Sequence, residues 1–309
     1  MHQLLTSDKL LSATEAIARF VKPGAVVGLG GQNINRCPMA LVHELIRAGT
    51  GDLTVVGCNL SLPLDMLAAN GQVVRTEQGS GNLEKYGALF EWRRRAERGD
   101  LEVKDYSHLA MASRFLAGSL GLPFMPTRSL IGSDVLKDHL ESGDARLYAD
   151  PWSGVPVVLL KALTPDVSLI HASRADADGN VVIDGVTSHE VDMVKASAAT
   201  IVSVEEVLPA GGLAGEPERV TISSAFVSAV VHQPYGAFPT SVYKLYDYHE
   251  PEIVEYQRRS RYDDGLDTYL DECVRGVRTF GDYLERQDPG GAIRRSLEDA
   301  MRSLMGSLR

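Results

Sequence analysis

The chain has 309 residues, of which 44% are hydrophobic and 23% charged, a composition typical of a globular protein with one large domain or two smaller ones. Its formal net charge of -10 argues against nucleic acid as the main partner. No apolar run approaches the length of a membrane span, and residues 1–9 lack the regions of a signal peptide, so we expect no association with a membrane. The three widely spaced cysteines, Cys37, Cys58 and Cys273, suggest neither a disulfide framework nor a metal site and favour a cytoplasmic protein.

The first predicted elements are a helix, a strand and a second helix. Residues 12–20 have helical spacing, with Ser12 placed to cap the helix and Glu15 three residues later. Residues 26 and 27 are both valine, which is β-branched and favours a buried strand. Residues 39–47 again have helical spacing, and Pro38 suits the first turn of a helix.

A glycine turn joins this strand to the second helix. Gly28, Gly30 and Gly31 allow positive φ angles and the close approach of another molecule. Their spacing differs from the GxGxxG pattern of dinucleotide sites. A glycine turn before a helix can offer N–H groups to an anion or an oxyanion, and the same residues equally allow a tight turn with no ligand.

Strands and helices alternate along the next part of the chain. Predicted strands are 53–56, 73–77, 101–103, 167–172, 181–183 and 200–204, and predicted helices are 66–70, 91–98, 108–120 and 191–199. This alternation favours a mostly parallel α/β sheet, with a hairpin turn at Asp178-Gly-Asn. Residues 266–284 and 293–308, separated by Pro289-Gly-Gly, are predicted to be helices that pack outside the sheet or against a partner.

Several longer motifs follow one another in a recognisable order. They are Gly28-Leu-Gly-Gly, Arg36-Cys-Pro-Met-Ala-Leu-Val, Asp52-Leu-Thr-Val-Val, Leu101-Glu-Val-Lys-Asp-Tyr-Ser-His, Phe115-Leu-Ala-Gly-Ser-Leu-Gly-Leu-Pro-Phe-Met-Pro-Thr, His171-Ala, Asp178-Gly-Asn, Val202-Ser-Val-Glu-Glu, His232-Gln-Pro-Tyr-Gly-Ala-Phe-Pro-Thr and Tyr246-Asp-Tyr. Together they resemble family I CoA-transferases, and most specifically the A (α) subunits of glutaconate CoA-transferase and its relatives. The resemblance extends from about residue 14 to residue 257.

The resemblance implies a fold, a partner and a mechanism. The fold is an open α/β domain over residues 1–255, a mainly parallel, Rossmann-like sheet with helices on both faces, followed by a helical extension over residues 256–309. The partner is a homologous B (β) subunit, and the active site lies between the two subunits. A glutamate of the partner, in a Ser-Glu-Asn-Gly-like segment, attacks an acyl-CoA and forms an anhydride and then a glutamyl–CoA thioester, from which CoA passes to a small carboxylic acid. This chain lacks such a segment, so no catalytic residue is assigned in it. Coenzyme A is a substrate here, and no bound cofactor is expected.

Several residues are candidates for contact with the substrate or CoA, or for an oxyanion site. These are Gly28, Gly30, Gly31, Gln32, Ser80, Glu84, Ser107 and His108, with Glu102 and Arg36 as further candidates. His108 departs from the small polar residue that the family pattern leads us to expect, which points to an altered substrate or chemistry.

Each of these side chains also has a structural interpretation. Glu84 is as well explained by an ion pair with Lys85 or with the basic helix at 93–95, and His108 by a structural hydrogen bond. His171 is predicted to be a satisfied core histidine. The arginines of the basic helix could bind CoA phosphates or form a solvated helix face.

Two other functions remain open at this point. One is a hydrolase on the same scaffold, in which water takes the acyl group or opens a ring of a CoA-linked substrate. The other is a non-catalytic subunit that completes and stabilises a catalytic partner. The aromatic residues of segment 231–248 suggest part of a subunit interface, or equally a cluster in this chain's own core.

Overall fold

The computed structural model describes residues 8–307. Most of the N-terminal segment 1–9 and the last residue of the predicted helix 293–308 therefore lie outside the described residues.

A mainly parallel sheet forms the centre of the protein. Its strands are β1 (Val26–Leu29), β2 (Leu53–Leu60), β3 (Val73–Gly81), β4 (Glu102–Asp105), β8 (Val167–Asp176), β9 (Val181–Val182), β10 (Ala199–Leu208) and β11 (Ala229–His232). The strand order is β11-β10-β8-β1-β2-β3-β4, every neighbouring pair in it is parallel, and β9 pairs antiparallel with β8. This confirms the predicted sheet and the predicted hairpin between β8 and β9.

Helices lie on both faces of this sheet and beside it. They are α1 (Ala13–Phe20), α2 (Met39–Ala48), α3 (Leu62–Ala69), α4 (Phe90–Arg98), α5 (His108–Ser119), α6 (Asp134–Ser142), α7 (Glu190–Ala196), α8 (Glu250–Ser260), α9 (Gly265–Leu270), α10 (Phe280–Gln287) and α11 (Ala292–Ser307). Successive strand residues point to opposite faces, so Val55 packs with α1, α2 and α3 whereas Val56 packs with α5 and α7. The expected helices on both faces are confirmed.

A smaller antiparallel sheet lies beside the main one and was not predicted from the sequence. Its strands β5 (Phe124–Thr127), β6 (Ala145–Ala149) and β7 (Pro156–Lys161) have the order β5-β7-β6. Val158 and Leu160 of β7 are buried in the same cluster as α5. The link to the main sheet is also polar, since His139 Nε2 lies 2.7 Å from the carbonyl oxygen of Asp105 at the end of β4.

Most of the predicted helices and strands are present, but several begin or end at other residues than the local sequence pattern predicts. Ser12 caps α1 in a capping box with Glu15, as predicted. The strands β2 and β3 are longer than predicted, because their polar ends pair with each other, Asn59 opposite Ser80. The predicted helix 191–199 is too long, because Ala199 already pairs with Val167 of β8.

The C-terminal helices belong to the main hydrophobic core. Tyr256, Leu270 and Tyr283 are fully buried in the cluster that contains α2 and α3. The last helix, α11, is different, since Met301 is its one buried residue. The aromatic segment 231–248 likewise contributes Phe238 and Tyr246 to the interior of this chain.

Candidate active site

The glycine turn after β1 is shaped by the protein's own α7. A Cβ atom on Gly30 would lie 2.4 Å from Glu190 Oε1, and one on Gly28 would lie 2.8 Å from Met193 Sδ. Gly31 has a φ of +86°, a conformation that side chains rarely adopt. Glycine is therefore needed here for packing and backbone geometry, whether or not a ligand also binds.

The N–H groups of this turn already have acceptors. Gly30 N donates to Leu169 O at 2.9 Å, and Gly31 N to Glu190 Oε1 at 2.9 Å. Gln32 N donates to Asn35 O at 2.8 Å, which closes the turn. The predicted contact of Gly28, Gly30, Gly31 and Gln32 with the substrate, CoA or an oxyanion stays a prediction. An oxyanion bound by these N–H groups would replace at least one of these hydrogen bonds.

A buried ion pair fills the crevice between β1 and β8. The strand order reverses at this point, which is where open α/β sheets commonly bind ligands. Arg36 is 2% exposed, and Glu190 pairs with both of its terminal nitrogens. The guanidinium also donates to His171 O at 3.0 Å and Val186 O at 2.8 Å. Arg36 thus has its charge compensated within the chain.

Polar residues meet at the carboxyl ends of β2, β3 and β4. Ser80 Oγ donates to Asn59 Oδ1 at 3.1 Å, and His108 Nε2 lies 3.1 Å from Ser80 Oγ. Ser107 caps α5 through Ala110 N at 3.0 Å and also contacts Ser129. The structure therefore brings three of the predicted site residues, Ser80, Ser107 and His108, to one edge of the sheet.

Glu84 lies at the same edge, beside the glycine turn. It follows the end of β3, has a φ of +55°, and accepts a hydrogen bond from Asn33 Nδ2, one residue past Gln32. Lys85 pairs instead with Glu250, at 2.9 Å. The ion pair of Glu84 with Lys85 or with the basic helix is therefore wrong, and its carboxylate is exposed at the edge where the other polar groups collect.

Two groups of predicted residues lie elsewhere. Glu102 begins β4 at the opposite, amino end of the sheet, where it pairs with Arg75 at 3.5 Å. Among the arginines of α4, Arg93 pairs with Glu97 at 2.8 Å and Arg98 with Asp263 at 3.1 Å. Because Arg93 and Arg98 are more than half exposed, they form a solvated helix face.

A second polar cluster, not predicted from the sequence, joins β8 and β10 to segment 231–248. His171 is buried, as predicted, with Nδ1 2.8 Å from Ser203 Oγ and Nε2 2.7 Å from Glu205 Oε1. Glu205 also accepts from Tyr246 Oη at 2.7 Å and from Tyr235 N at 2.6 Å. Burial raises the pKa of the Tyr246 phenol well above its ordinary value, so the phenol is a neutral donor.

This cluster opens onto a cavity of about 620 Å³. Arg174, Lys244 and Glu298 are among its other lining residues. Several family motifs contain residues of this cluster, namely His171-Ala, Val202-Ser-Val-Glu-Glu, His232-Gln-Pro-Tyr-Gly-Ala-Phe-Pro-Thr and Tyr246-Asp-Tyr, and none of them reveals that these residues meet. No group of three or more His, Cys, Asp or Glu side chains suited to a metal ion occurs within residues 8–307.

Comparisons with known proteins decide the family. The family model described as Coenzyme A transferase matches residues 10–233. The chain belongs to the Coenzyme A transferase family. Within residues 8–307, none of its helices is both long and apolar enough to span a bilayer.

Three proteins similar in sequence to this chain of the CoA-transferase family are compared with it by identity and coverage. An uncharacterized protein of Archaeoglobus fulgidus is 37% identical over 90% of this chain, which spans only 62% of that protein. The glutaconate CoA-transferase A subunit of Acidaminococcus fermentans is 32% identical over 90% of this chain and 92% of its own length. The cholesterol ring-cleaving hydrolase IpdA subunit of Rhodococcus jostii is 29% identical over 74% of this chain and 79% of its own length.

The solved structures support the same relationship. The crystal structure of glutaconate CoA-transferase from Acidaminococcus fermentans matches with a TM-score of 0.87 at 31% identity, covering 93% of this chain and 94% of that one. The two chains therefore share their architecture over most of their length.

Proposed function

We propose that this chain is the A-type subunit of a heteromeric CoA-transferase, which moves CoA from an acyl-CoA to a small carboxylic acid. The observation that carries the proposal is the match to a glutaconate CoA-transferase A subunit over 90% of the chain, in both sequence and fold. The partner is a homologous B-type subunit, and it supplies the glutamate nucleophile, since this chain has no Ser-Glu-Asn-Gly-like segment.

The polar carboxyl edge supports this assignment. Parallel α/β proteins bind ligands outside the carboxyl ends of their strands, and Ser80, Glu84, Ser107 and His108 lie there. A carboxylate attacks a thioester more readily in a walled site that limits its hydration. This edge supplies one wall, and the B-type subunit supplies the other together with the nucleophile.

Glu84 is not the nucleophile in this proposal. Its carboxylate is exposed and accepts a hydrogen bond from Asn33. A site between the two subunits places Glu84 where it contacts the substrate or the partner.

The three free cysteines suit a reducing compartment such as the cytoplasm.

Separate and combined subunits test the proposal. The purified chain alone should show no transfer of CoA from succinyl-, glutaryl- or acetyl-CoA to free acids, and co-expression with the B-type subunit of the same genome should give an active complex. Mass measurement after size-exclusion chromatography checks the assembly. Turnover by the isolated chain that is lost in Glu84→Ala would show that the nucleophile lies here instead.

Hydrolysis is the second candidate, because an IpdA hydrolase chain is also a relative. The two reactions differ in what accepts the acyl group or CoA. A complex that releases free CoA at the same rate with and without added acids, and forms no new acyl-CoA, is a hydrolase, whereas one that transfers CoA to an added acid is a transferase. A B-type partner that is fully active without this chain would indicate a purely structural role.

A further inference from the structure

His108 is held through one ring nitrogen and open at the other. The single hydroxyl proton of Ser80 is donated to Asn59 Oδ1 at 3.1 Å, so the short contact at 3.1 Å between Ser80 Oγ and His108 Nε2 is a hydrogen bond donated by the ring. The neutral ring therefore carries its proton on Nε2 and its lone pair on Nδ1. Within the described part of the chain, Nδ1 has no hydrogen-bond partner.

The position of the ring is built into the fold. His108 is the first residue of α5, and the side chain of Ser107 fixes the start of that helix. A Cβ atom on Gly79 would lie 2.3 Å from His108 Cδ2, so the ring lies where only a glycine in β3 leaves room for it. Asn59, Ser80 and Gly79 thus act as positioning residues that hold the ring of this exposed histidine at the carboxyl edge of the sheet.

This arrangement supplies chemistry that CoA transfer does not use. In CoA transfer, the attacking groups are a carboxylate and the thiolate of CoA. Both are already ionised, so neither has to lose a proton before it attacks. Water does have to lose one when it attacks a thioester, and a positioned histidine is the commonest group to accept it. We propose that His108 is a general base that activates water, which gives the site an acyl-CoA hydrolase activity.

The hydrolytic step rests on the proposed acyl-CoA site and conserves atoms and charge. A water oxygen forms a bond to the thioester carbonyl carbon while His108 Nδ1 takes one of the water protons. The tetrahedral intermediate breaks its carbon–sulfur bond, and the thiolate of CoA takes the proton back from the imidazolium. The products are free CoA and a carboxylic acid, which ionises in solution.

The experiment uses the complex of this chain with its B-type subunit. Release of free CoA is measured without an acceptor acid, and CoA transfer is measured with one, on the acyl-CoA that supports the fastest transfer. In His108→Gln, hydrolysis should fall by about 100-fold, in the range that general bases contribute. The ratio of hydrolysis to transfer should fall by about tenfold or more. His232→Gln changes an exposed histidine at the end of β11 and should leave both rates unchanged.

The pH profile separates a base from a structural residue. Wild-type hydrolysis should show an acid limb that is absent in His108→Gln. Ser80→Ala removes the orienting hydrogen bond but keeps the base, so it should slow hydrolysis by about tenfold and retain the limb.

Four outcomes would overturn the inference. The first is unchanged hydrolysis, or an unchanged acid limb, in His108→Gln, and the second is a parallel loss of both activities. The third is a wild-type complex that transfers CoA but does not hydrolyse acyl-CoA, which leaves the proposed function standing. A wild-type complex with neither activity contradicts the proposed function, and the inference fails with it.

Discussion

At the scale of single residues, the most consequential contact joins Arg36 and Glu190. Both side chains are almost fully buried, and the pair lies at the point where a ligand of an open α/β sheet would commonly enter. Glu190 Oε1 also accepts from Gly31 N, so one carboxylate fixes both the glycine turn and the arginine. The contact stabilises the glycine turn and fills the crevice between β1 and β8 with the protein's own side chains.

Breaking this pair should be costly. Arg36→Met leaves Glu190 as a buried, uncompensated charge, and we expect the free energy of unfolding to fall by about 3–5 kcal/mol. Urea denaturation followed by circular dichroism measures it. Arg93→Met breaks the exposed pair with Glu97 and should cost no more than about 1 kcal/mol. Equal effects of the two substitutions would contradict a structural role for the buried pair.

At the scale of elements, α2 joins the sheet to the C-terminal helices. His43 of α2 is fully buried against Phe280 and Tyr283 of α10, with ring centroids 4.9 and 4.8 Å away. Neither ring nitrogen has a hydrogen-bond partner within residues 8–307. Burial, with a smaller contribution from the charge of Arg47, lowers the pKa of His43 to about 3.

This histidine makes the packing of α10 on α2 sensitive to acid. Below an ordinary histidine pKa of 6.5 the unfolded chain takes up a proton that the folded chain refuses until about pH 3, so stability falls as the pH falls. Because of His43, we expect the free energy of unfolding to fall by about 2 kcal/mol when the pH is lowered from 7 to 5.

His43→Leu isolates this contribution. Burial raises the pKa values of Asp65 and Glu252, which act in the opposite direction, so the wild-type profile alone is a sum of effects. Thermal unfolding of both proteins at pH 7 and pH 5 should show a smaller acid loss in His43→Leu, while His232→Gln should follow the wild type. Parallel profiles for wild type and His43→Leu would show that the ring protonates freely when folded.

At the scale of the whole molecule, residues 256–309 behave as two parts. Helices α8 to α10 bury Tyr256, Tyr269 and Tyr283 in the main core, whereas α11 buries only Met301. The proposed boundary at residue 255 therefore marks a change in the sequence pattern and does not divide the hydrophobic core, which contains residues from both sides of it.

Two truncations distinguish the parts. Removing residues 256–309 should expose the core faces of α2 and α3 and give an insoluble or unfolded chain, since each fully buried large apolar side chain contributes about 1.5–3 kcal/mol. Removing residues 293–309 should leave a folded chain with a modest loss of stability. Solubility and thermal unfolding measure both, and a stable, folded 1–255 fragment would establish the helical extension as separable.

The sequence by itself determined the elements and their class. Ser12 with Glu15, the valines of β1, the glycine turn and the alternation of strands with helices depend on neighbouring residues, so local patterns reveal them. The family motifs predicted a partner subunit and contain Ser107 and His108, which the fold brings to one edge together with Ser80.

Only the tertiary structure decided which groups meet. Arg36 and Glu190 are 154 positions apart in sequence, and Ser80 and His108 are 28 apart, so no local pattern pairs them. The same holds for the antiparallel sheet and for the polar ends of β2 and β3, which are strands because each supplies the other's hydrogen-bond partners. Long-range contacts fix which nitrogen of His108 is free, whether Arg36 is available and whether α10 belongs to the core, because each depends on atoms that the chain brings together only when it folds.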